Sequence, residues 1–581
     1  MKKTVALIFD KNQADLLIRK VPSKINIYPM TPDVFFYLRS KKIKKIINPF
    51  NLNYDLINRK IVNELMNIEN NFESTLNRKK DIPDYNRESI KNIFHVFASS
   101  SLFLWFKINE FNSFYIYNEN KWEITNNKKI VFLNLNKYIY KHLIVSFNLV
   151  EYKSNFFSKL AFTFINNYNL SRLKKNVILT SGYVYGIKKI ARNIISNNKN
   201  ISIFHLENFD KNLFKIILSY FFRKKLDSQT RINLLYKDKL NFDYSEKLNF
   251  LNNLNSIPIK IISKDIINFI KICLKNSDAS NEYLSFLLKK TKPKIIITHH
   301  QRWLQSVVLS SLAYKMNIPV YLISHGSHTY NKNKYIKFVN KYLSKGMISS
   351  PFSKYVVYQS PNTNSNILNN RKTKILKSLP IMWGNINIKK LENDSNTQYI
   401  LHAGTAKLYS TRAWIYENYF EYLNGINLLI KSVLKMKNVK LIVRLRPIEG
   451  CNIESIKKYL IQSDKIIFKT DGLFEEDLKK SCLLVSYCST TIEESLYSNK
   501  PVAIFGGSER YRHLQGSLLL PKINKRYAVY ILNNKNIDIM LKNILKFHNN
   551  NALLSKQELK GYIWQKNKNE FNNSIRKYLN E

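Results

Sequence analysis

The stretch SYCSTTIEESLYSNKPVAIFGG, Ser486 to Gly507, decides how the chain is read. The apolar run LLVS leads into it, and a second run, VAIF, lies within it. Between them stand Ser489, Thr490 and Thr491, then the adjacent Glu493 and Glu494, then a Lys-Pro step. Short continuous apolar runs divided by a polar helix-forming segment are typical of parallel strands covered on both faces. LLVSY is therefore a strand, IEESLYS a helix and VAIFGG the next strand, with Lys500-Pro501 ending the helix. Ser489, Thr490 and Thr491 are of the N-cap type. Free amides at a helix start, with hydroxyls beside them, suit a diphosphate. The two glutamates in the first turn favour the helix dipole. They are also placed to accept hydrogen bonds from ribose hydroxyls. Phosphates together with a sugar imply a nucleotide.

The same rhythm extends in both directions. QYILHAG, KLIVRLRP and IIFK are strands, and NYFEYLNGINLLIKSVLKM and FEEDLKK are helices. Upstream, NVILTSGYVYGIKKIARNIISNNKNISIFHL and PKIIITHHQRWLQSVVLSSLAYKMNIPVYLISHGSHT read as βαβ units. The first 50 residues suggest strand, helix, strand and helix, with KKIINPF as a further strand. Residues 51–175 read as a helical insertion, rich in aromatics near SSSLFLWFKINEF. The expected fold class is α/β, with two Rossmann-like sheets in tandem facing across a cleft. The expected division is 1–375, with the insertion at 51–175, and 376–581. No internal sequence repeat is visible.

Ligands of open parallel sheets bind beyond the carboxyl ends of the strands. Five of the ten histidines fall there: His299, His300, His325, His328 and His402. His325 precedes Gly326, which permits close ligand approach, and is the first candidate for a general base or for holding a phosphate. His300 is the second. His328 and His402 are secondary candidates, as are Arg444 and Glu493. Gly404 and Thr405 follow QYILHA. Arg444 and Arg446 share a face, and a buried Arg demands a carboxylate or phosphate partner. Arg446, nearer the strand end, is assigned to phosphate.

Lys and Arg total 93 against 41 Asp and Glu, a net charge of +52. The charge is spread along the chain rather than gathered in a tail, which argues against a specific nucleic-acid role and for an anionic membrane surface. The four cysteines form no CxxC pair, so neither a disulfide scaffold nor a zinc site is expected, and a reduced, cytoplasmic setting fits. MKKTVALIFDKNQ has an apolar run too short for a signal peptide, and no run approaches the roughly 18–20 residues of a spanning helix. No Asp-x-Asp pair at a strand end suggests a metal-bound donor.

STTIEESLYSNKPVAIF resembles the donor-nucleotide segment of GT-B glycosyltransferases. HGSHT after a strand resembles the His-Gly motif of surface-polysaccharide transferases, such as capsule Kdo-type transferases and CDP-glycerol-dependent polymerases. ILHAGTAK and VRLRP resemble second-domain segments of the same group. The resemblance covers roughly residues 290 to 510. It implies a metal-independent transferase without a cofactor, using a nucleotide-activated sugar or polyol donor. The implied acceptor is a surface glycan (capsule, O-antigen or lipopolysaccharide) or its lipid-linked precursor. Donor contacts are implied at Gly404, Thr405, Arg446, Ser489, Thr490, Thr491 and Glu494, with Glu494 preferred over Glu493 for the ribose. Relatives often carry His-Pro where this chain has Arg446-Pro447, so no histidine role is carried over there. The EES-to-KPV segment also resembles UDP-N-acetylglucosamine 2-epimerases, but their early Gly-Thr-Arg-Pro-Glu signature is absent. A degenerate GT-B scaffold in polysaccharide assembly is the non-catalytic alternative.

Overall fold

The computed structural model describes residues 4–20, 25–51, 54–118, 121–146, 176–181, 201–207, 229–233, 244–302, 305–324, 326, 334–366, 373–383, 397–404, 416–446, 452–523, 525–548, 553–564 and 570–580. The described strands make three sheets. The first is small: β1 (Thr4–Ile8), β2 (Asn26–Pro29), β3 (Ser113–Asn118) and β4 (Lys121–Thr125), in the order β2-β1-β3-β4. The second holds β5 (Asn176–Ser181), β6 (Ile201–Glu207), β7 (Gln229–Asn233), β8 (Ile295–Thr298), β9 (Val320–Ile323), β10 (Tyr355–Tyr358) and β11 (Lys374–Lys377). The third holds β12 (Gln398–Ala403), β13 (Val439–Arg444), β14 (Ile466–Lys469), β15 (Leu483–Ser486), β16 (Val502–Ile504) and β17 (Val529–Ile531).

Every pairing in the two larger sheets is parallel. Their orders are β11-β10-β9-β8-β5-β6-β7 and β14-β13-β12-β15-β16-β17. Counted from the first strand of each, both run 3-2-1-4-5-6, the doubly wound order, and the second sheet adds a seventh strand at one edge. β8 (IIIT), β9 (VYLI) and β15 (LLVS) are buried throughout, as continuous apolar strands covered on both faces must be. Each sheet has one switch point, between β5 and β8 in the second and between β12 and β15 in the third. The expectation of two Rossmann-like sheets therefore holds, and two stretches without a sequence repeat share one winding.

The amino-terminal region differs from its reading. β1 and β2 join neither large sheet. They pair with each other, and β1 pairs with a β3–β4 hairpin that lies inside the stretch read as helical. SFYIYN alternates, burying Phe114 and Ile116 on one face while half-buried Tyr115 packs on the cluster of Ala6 and Ile8 on the other, so strand periodicity overrides the helical surroundings. KKIINPF forms no strand and contributes only a bridge from Ile46 to Ile27. Long helices do follow, at Tyr54–Arg78, Asp84–Ile108 and Lys128–Ser146. They pack with helix Ile257–Thr291 into one apolar core around Phe72, Phe94, Phe97 and Phe269.

The two large sheets are tied together. Tyr497 donates its hydroxyl to the Gln359 carbonyl at 2.7 Å, and Trp564 donates Nε1 to the Tyr358 carbonyl at 2.9 Å. Helix Glu570–Asn580 lies on the seven-stranded sheet, burying Phe571, Ile575 and Leu579 beside Ile178, Ile203 and Tyr321. Ser574 and Tyr321 hydroxyls meet there at 2.8 Å.

Candidate functional site

The chain leaves β15 through Tyr487, Cys488 and Ser489 and enters helix Thr491–Tyr497. Thr490 occupies the N-cap with helical backbone angles, and its side chain makes no cap bond. Ser489 Oγ accepts from the Thr491 amide at 3.3 Å. The Thr491 and Ser486 hydroxyls are buried and have no hydrogen-bond partner among the described residues. This cluster lies beside the switch point between β15 and β12, where His402 and Gly404 end their own strand.

The two glutamates have different surroundings. Glu494 is half-buried, while Glu493 is 1% exposed. Glu493 Oε1 lies 2.8 Å from His513 Nε2, and the other ring nitrogen lies 3.3 Å from the Tyr511 hydroxyl. Burial alone would lower the pKa of His513. The Glu493 carboxylate, with Cys488 as a further hydrogen-bond partner, outweighs burial and raises it to about 10. At neutral pH the pair is a buried imidazolium and carboxylate. His513 was absent from the sequence reading, which searched only residues directly after strands. It comes nine positions beyond the end of β16, still in the loop at that strand's carboxyl end.

Gly326 brings the other half of the molecule to this cluster. Its φ of +82° is a left-handed conformation that favours glycine. A Cβ added there would stand 3.5 Å from His513 Cε1, 3.8 Å from Glu493 Oε1 and 3.8 Å from Thr490 Cγ2. Gly326, beyond β9, thus lies against the turn that follows β15. His325, His328 and Thr405 lie outside the described residues.

The remaining candidates fall into place separately. His300 is half-buried beyond β8, at the switch point of the seven-stranded sheet, with Nδ1 3.3 Å from Ser306 Oγ. His402 is buried, and burial lowers its pKa to about 4, so it is neutral at pH 7. It flanks Gly404, whose carbonyl accepts from the Tyr422 hydroxyl at 3.3 Å. Arg444 has found a structural acid: it pairs with buried Asp477 and donates to the Asp471 and Gly472 carbonyls at 3.1 and 2.7 Å. Arg446, two residues on, is exposed beyond the strand end.

The Lys-Pro step proves architectural. Lys500 is 1% exposed, and its Nζ donates to the Leu478, Lys479 and Ser481 carbonyls at the end of helix Phe474–Lys480. Burial lowers its pKa to about 7. The closing glycines have a steric reason. A Cβ on Gly507 would fall 1.8 Å from the Glu421 carbonyl oxygen, so only glycine lets this loop cross helix Tyr419–Leu434. Arg510 then fastens the loop to Glu421 at 2.5 Å and to Asp55 at 2.6 Å. Among the described residues no group of three His, Cys, Asp or Glu side chains is placed to hold a metal ion.

The cluster therefore brings together the buried hydroxyls of Ser486 and Thr491, the paired Glu493 and His513, and the half-buried Glu494, beside the carboxyl ends of β12 and β15. Such a surface can hold an anionic group beside a polyol.

No family model and no curated protein matches the chain. Solved structures similar to it include the MnaA–UDP complex of S. aureus, at 13% identity over 70% of this chain and 97% of that one, TM-score 0.39. A second is the UDP-GlcNAc 2-epimerase of Neisseria meningitidis bound to UDP-GlcNAc, at 14% identity over 70% and 99%, TM-score 0.37. A third is a ugt transferase of Siraitia grosvenorii in complex with UDP, at 11% identity over 70% and 99%, TM-score 0.42. The fold stands on the strand orders themselves: two Rossmann-like sheets with the winding 3-2-1-4-5-6, meeting at their strand ends, are a GT-B-like architecture.

Proposed function

We propose that the chain is a metal-independent glycosyltransferase, or a related polyol-phosphate transferase, acting from a nucleotide-activated donor. One observation carries this reading. Gly326, beyond β9, faces Thr490, Glu493 and His513, more than 160 positions away, so closely that a Cβ on it would be in van der Waals contact with all three. In this reading the half from 376 onward holds the donor. Its diphosphate lies against Ser489, Thr490, Thr491 and Arg446, beside Gly404 and Thr405, and its ribose meets Glu494. The half up to 375 presents the acceptor, a surface glycan or its lipid-linked precursor. His325 is the base that takes the acceptor proton, with His300 as the second candidate; proton transfer of this kind is worth about 10²–10⁴-fold in rate. Preorganised cations and amides stand in for a divalent ion at the leaving phosphate. The enzyme works in the cytoplasm, peripheral to the inner face of the membrane.

The test is a thermal-shift screen of the full chain against UDP, GDP, CMP, CDP and their sugar conjugates, without added metal. A ligand at about a hundred times its Kd stabilises the folded state by about 2.7 kcal/mol. A shift selective for one base, lost in Glu494→Ala and in Arg446→Ala, supports the reading. No shift with any nucleotide refutes it.

A further inference from the structure

Nine positions past Gly507 the chain builds a feature that the proposed reaction does not use. GSLLLPKINK, Gly516 to Lys525, holds three consecutive leucines, an isoleucine and two lysines, with no carboxylate. Leu518, Leu519, Leu520 and Ile523 are 55%, 64%, 41% and 84% exposed. Aliphatic side chains this open belong at contacts when they stand together.

The loop is anchored rather than loose. Ser517 donates its amide to the Val529 carbonyl at 2.8 Å and accepts from the Ile531 amide at 2.9 Å. Gly516 sits so close to Val529 that a Cβ would come within 2.8 Å of it. Gln515 accepts from the Tyr562 hydroxyl at 3.2 Å. At the tip, Lys522 and Lys525 exchange backbone hydrogen bonds of 3.1 and 3.0 Å, pinching the chain around Ile523. Lys522 and Lys525 are exposed, and among the described residues neither has an ion-pair partner. Exposed Lys560 lies two residues from Tyr562, at the root.

We infer that this loop docks the protein on an anionic lipid bilayer, with Leu518, Leu519, Leu520 and Ile523 entering the headgroup–acyl boundary. Lys522 and Lys525 then meet lipid phosphates, their stems lying along the apolar tip. Charge decides the occupant: the tip carries only cations, on a chain of net +52. Composition agrees, because protein hot spots favour Trp, Tyr and Arg and under-use Leu. Leu518 follows His513 by five residues, so the bilayer surface lies at most about 18 Å of chain from the candidate site. A lipid-linked acceptor would thus present its sugar near the cleft. The inference rests on the membrane reading above for its bilayer, and on nothing about the donor.

The test is co-sedimentation of the full chain with vesicles of phosphatidylcholine alone and with added phosphatidylglycerol. The partners are the wild type, L519D/I523D and K522E/K525E. The wild type is expected to bind the phosphatidylglycerol vesicles. L519D/I523D is expected to lose at least about tenfold in partitioning, and each lysine about fivefold, with added salt weakening the wild type similarly. Both variants alter exposed positions, so thermal unfolding and nucleotide shifts should match the wild type, separating this claim from the donor reading. Three results overturn it: no wild-type binding, binding unchanged in L519D/I523D, or a wild-type dimer in solution that L519D/I523D abolishes.

Discussion

Replacing His513 tests the centre of the candidate site. Its imidazole is held at a pKa of about 10 in the folded protein, against about 6.5 in an unfolded chain. A raised pKa means that the folded state binds the proton more tightly. The resulting stability is complete below about pH 6.5 and is lost as pH rises toward 10. At about 1.4 kcal/mol for each pH unit, the whole span is worth on the order of 5 kcal/mol. That agrees with the roughly 3–5 kcal/mol cost of stripping one partner from a buried ion pair. Lys500, lowered to about 7, slopes the opposite way, so the measured quantity is a difference between proteins. The assay is urea unfolding at pH 6.5, 7.5 and 8.5 of the wild type, His513→Gln, and the double variant with Glu493→Gln. His513→Gln strands the Glu493 carboxylate and should be the least stable at pH 6.5. The double variant removes both charges and should recover part of the loss. Its stability should also fall less steeply with pH than that of the wild type, by about 1.4 kcal/mol per unit. Parallel pH profiles for the wild type and the double variant would refute the buried ion pair.

Burial lowers both His402 and His548 to about 4, so their stability is present above about pH 6.5 and lost as pH falls toward 4. His402→Phe/His548→Phe should flatten the acid limb of a pH–stability profile by about 3 kcal/mol per site. Lys500→Ala should destabilise by about 1–3 kcal/mol through the carbonyls it leaves unbonded, while nucleotide shifts persist in the folded fraction. A donor shift abolished at full stability would instead give Lys500 a phosphate. Arg444→Met should destabilise by about 1.5–3 kcal/mol, through the lost charged hydrogen bonds to Asp477, which keeps its pair with Lys469. Arg446→Ala, at an exposed position, should stay within about 0.5 kcal/mol of the wild type in urea and lose nucleotide affinity.

Nine of the thirteen strands described in the two large sheets were legible as short apolar runs, whereas β7, β10, β11 and β17 were not. IIIT, VYLI, QYILHA and LLVS announce themselves in this way. The order of those strands was not legible, since it depends on which edge each crossover reaches. That order is what brings β12 beside β15 and β8 beside β5. β3 and β4 were passed over because two short amphipathic strands stood between long helices. At the candidate site, the strand-end rule marks Gly404 and Thr490, and the first helical turn marks both glutamates. It did not separate Glu493 from Glu494, because burial is a tertiary fact. His513 escaped because its loop travels well past β16 before turning back. The partner of Arg444 was likewise hidden: Asp477 lies 33 positions away on a different element.

Helix Glu570–Asn580 has a consequence for the order in which the chain matures. Its seat on the seven-stranded sheet is complete once β11 has formed, but the helix is encoded about 190 positions later. At roughly 5–20 residues per second, a ribosome delivers it about 10–40 s after its seat. During that interval Ile178, Ile203 and Tyr321 lack the cover that Phe571, Ile575 and Leu579 give them. This cover therefore reaches the seven-stranded sheet only after every strand of the six-stranded sheet has been synthesised.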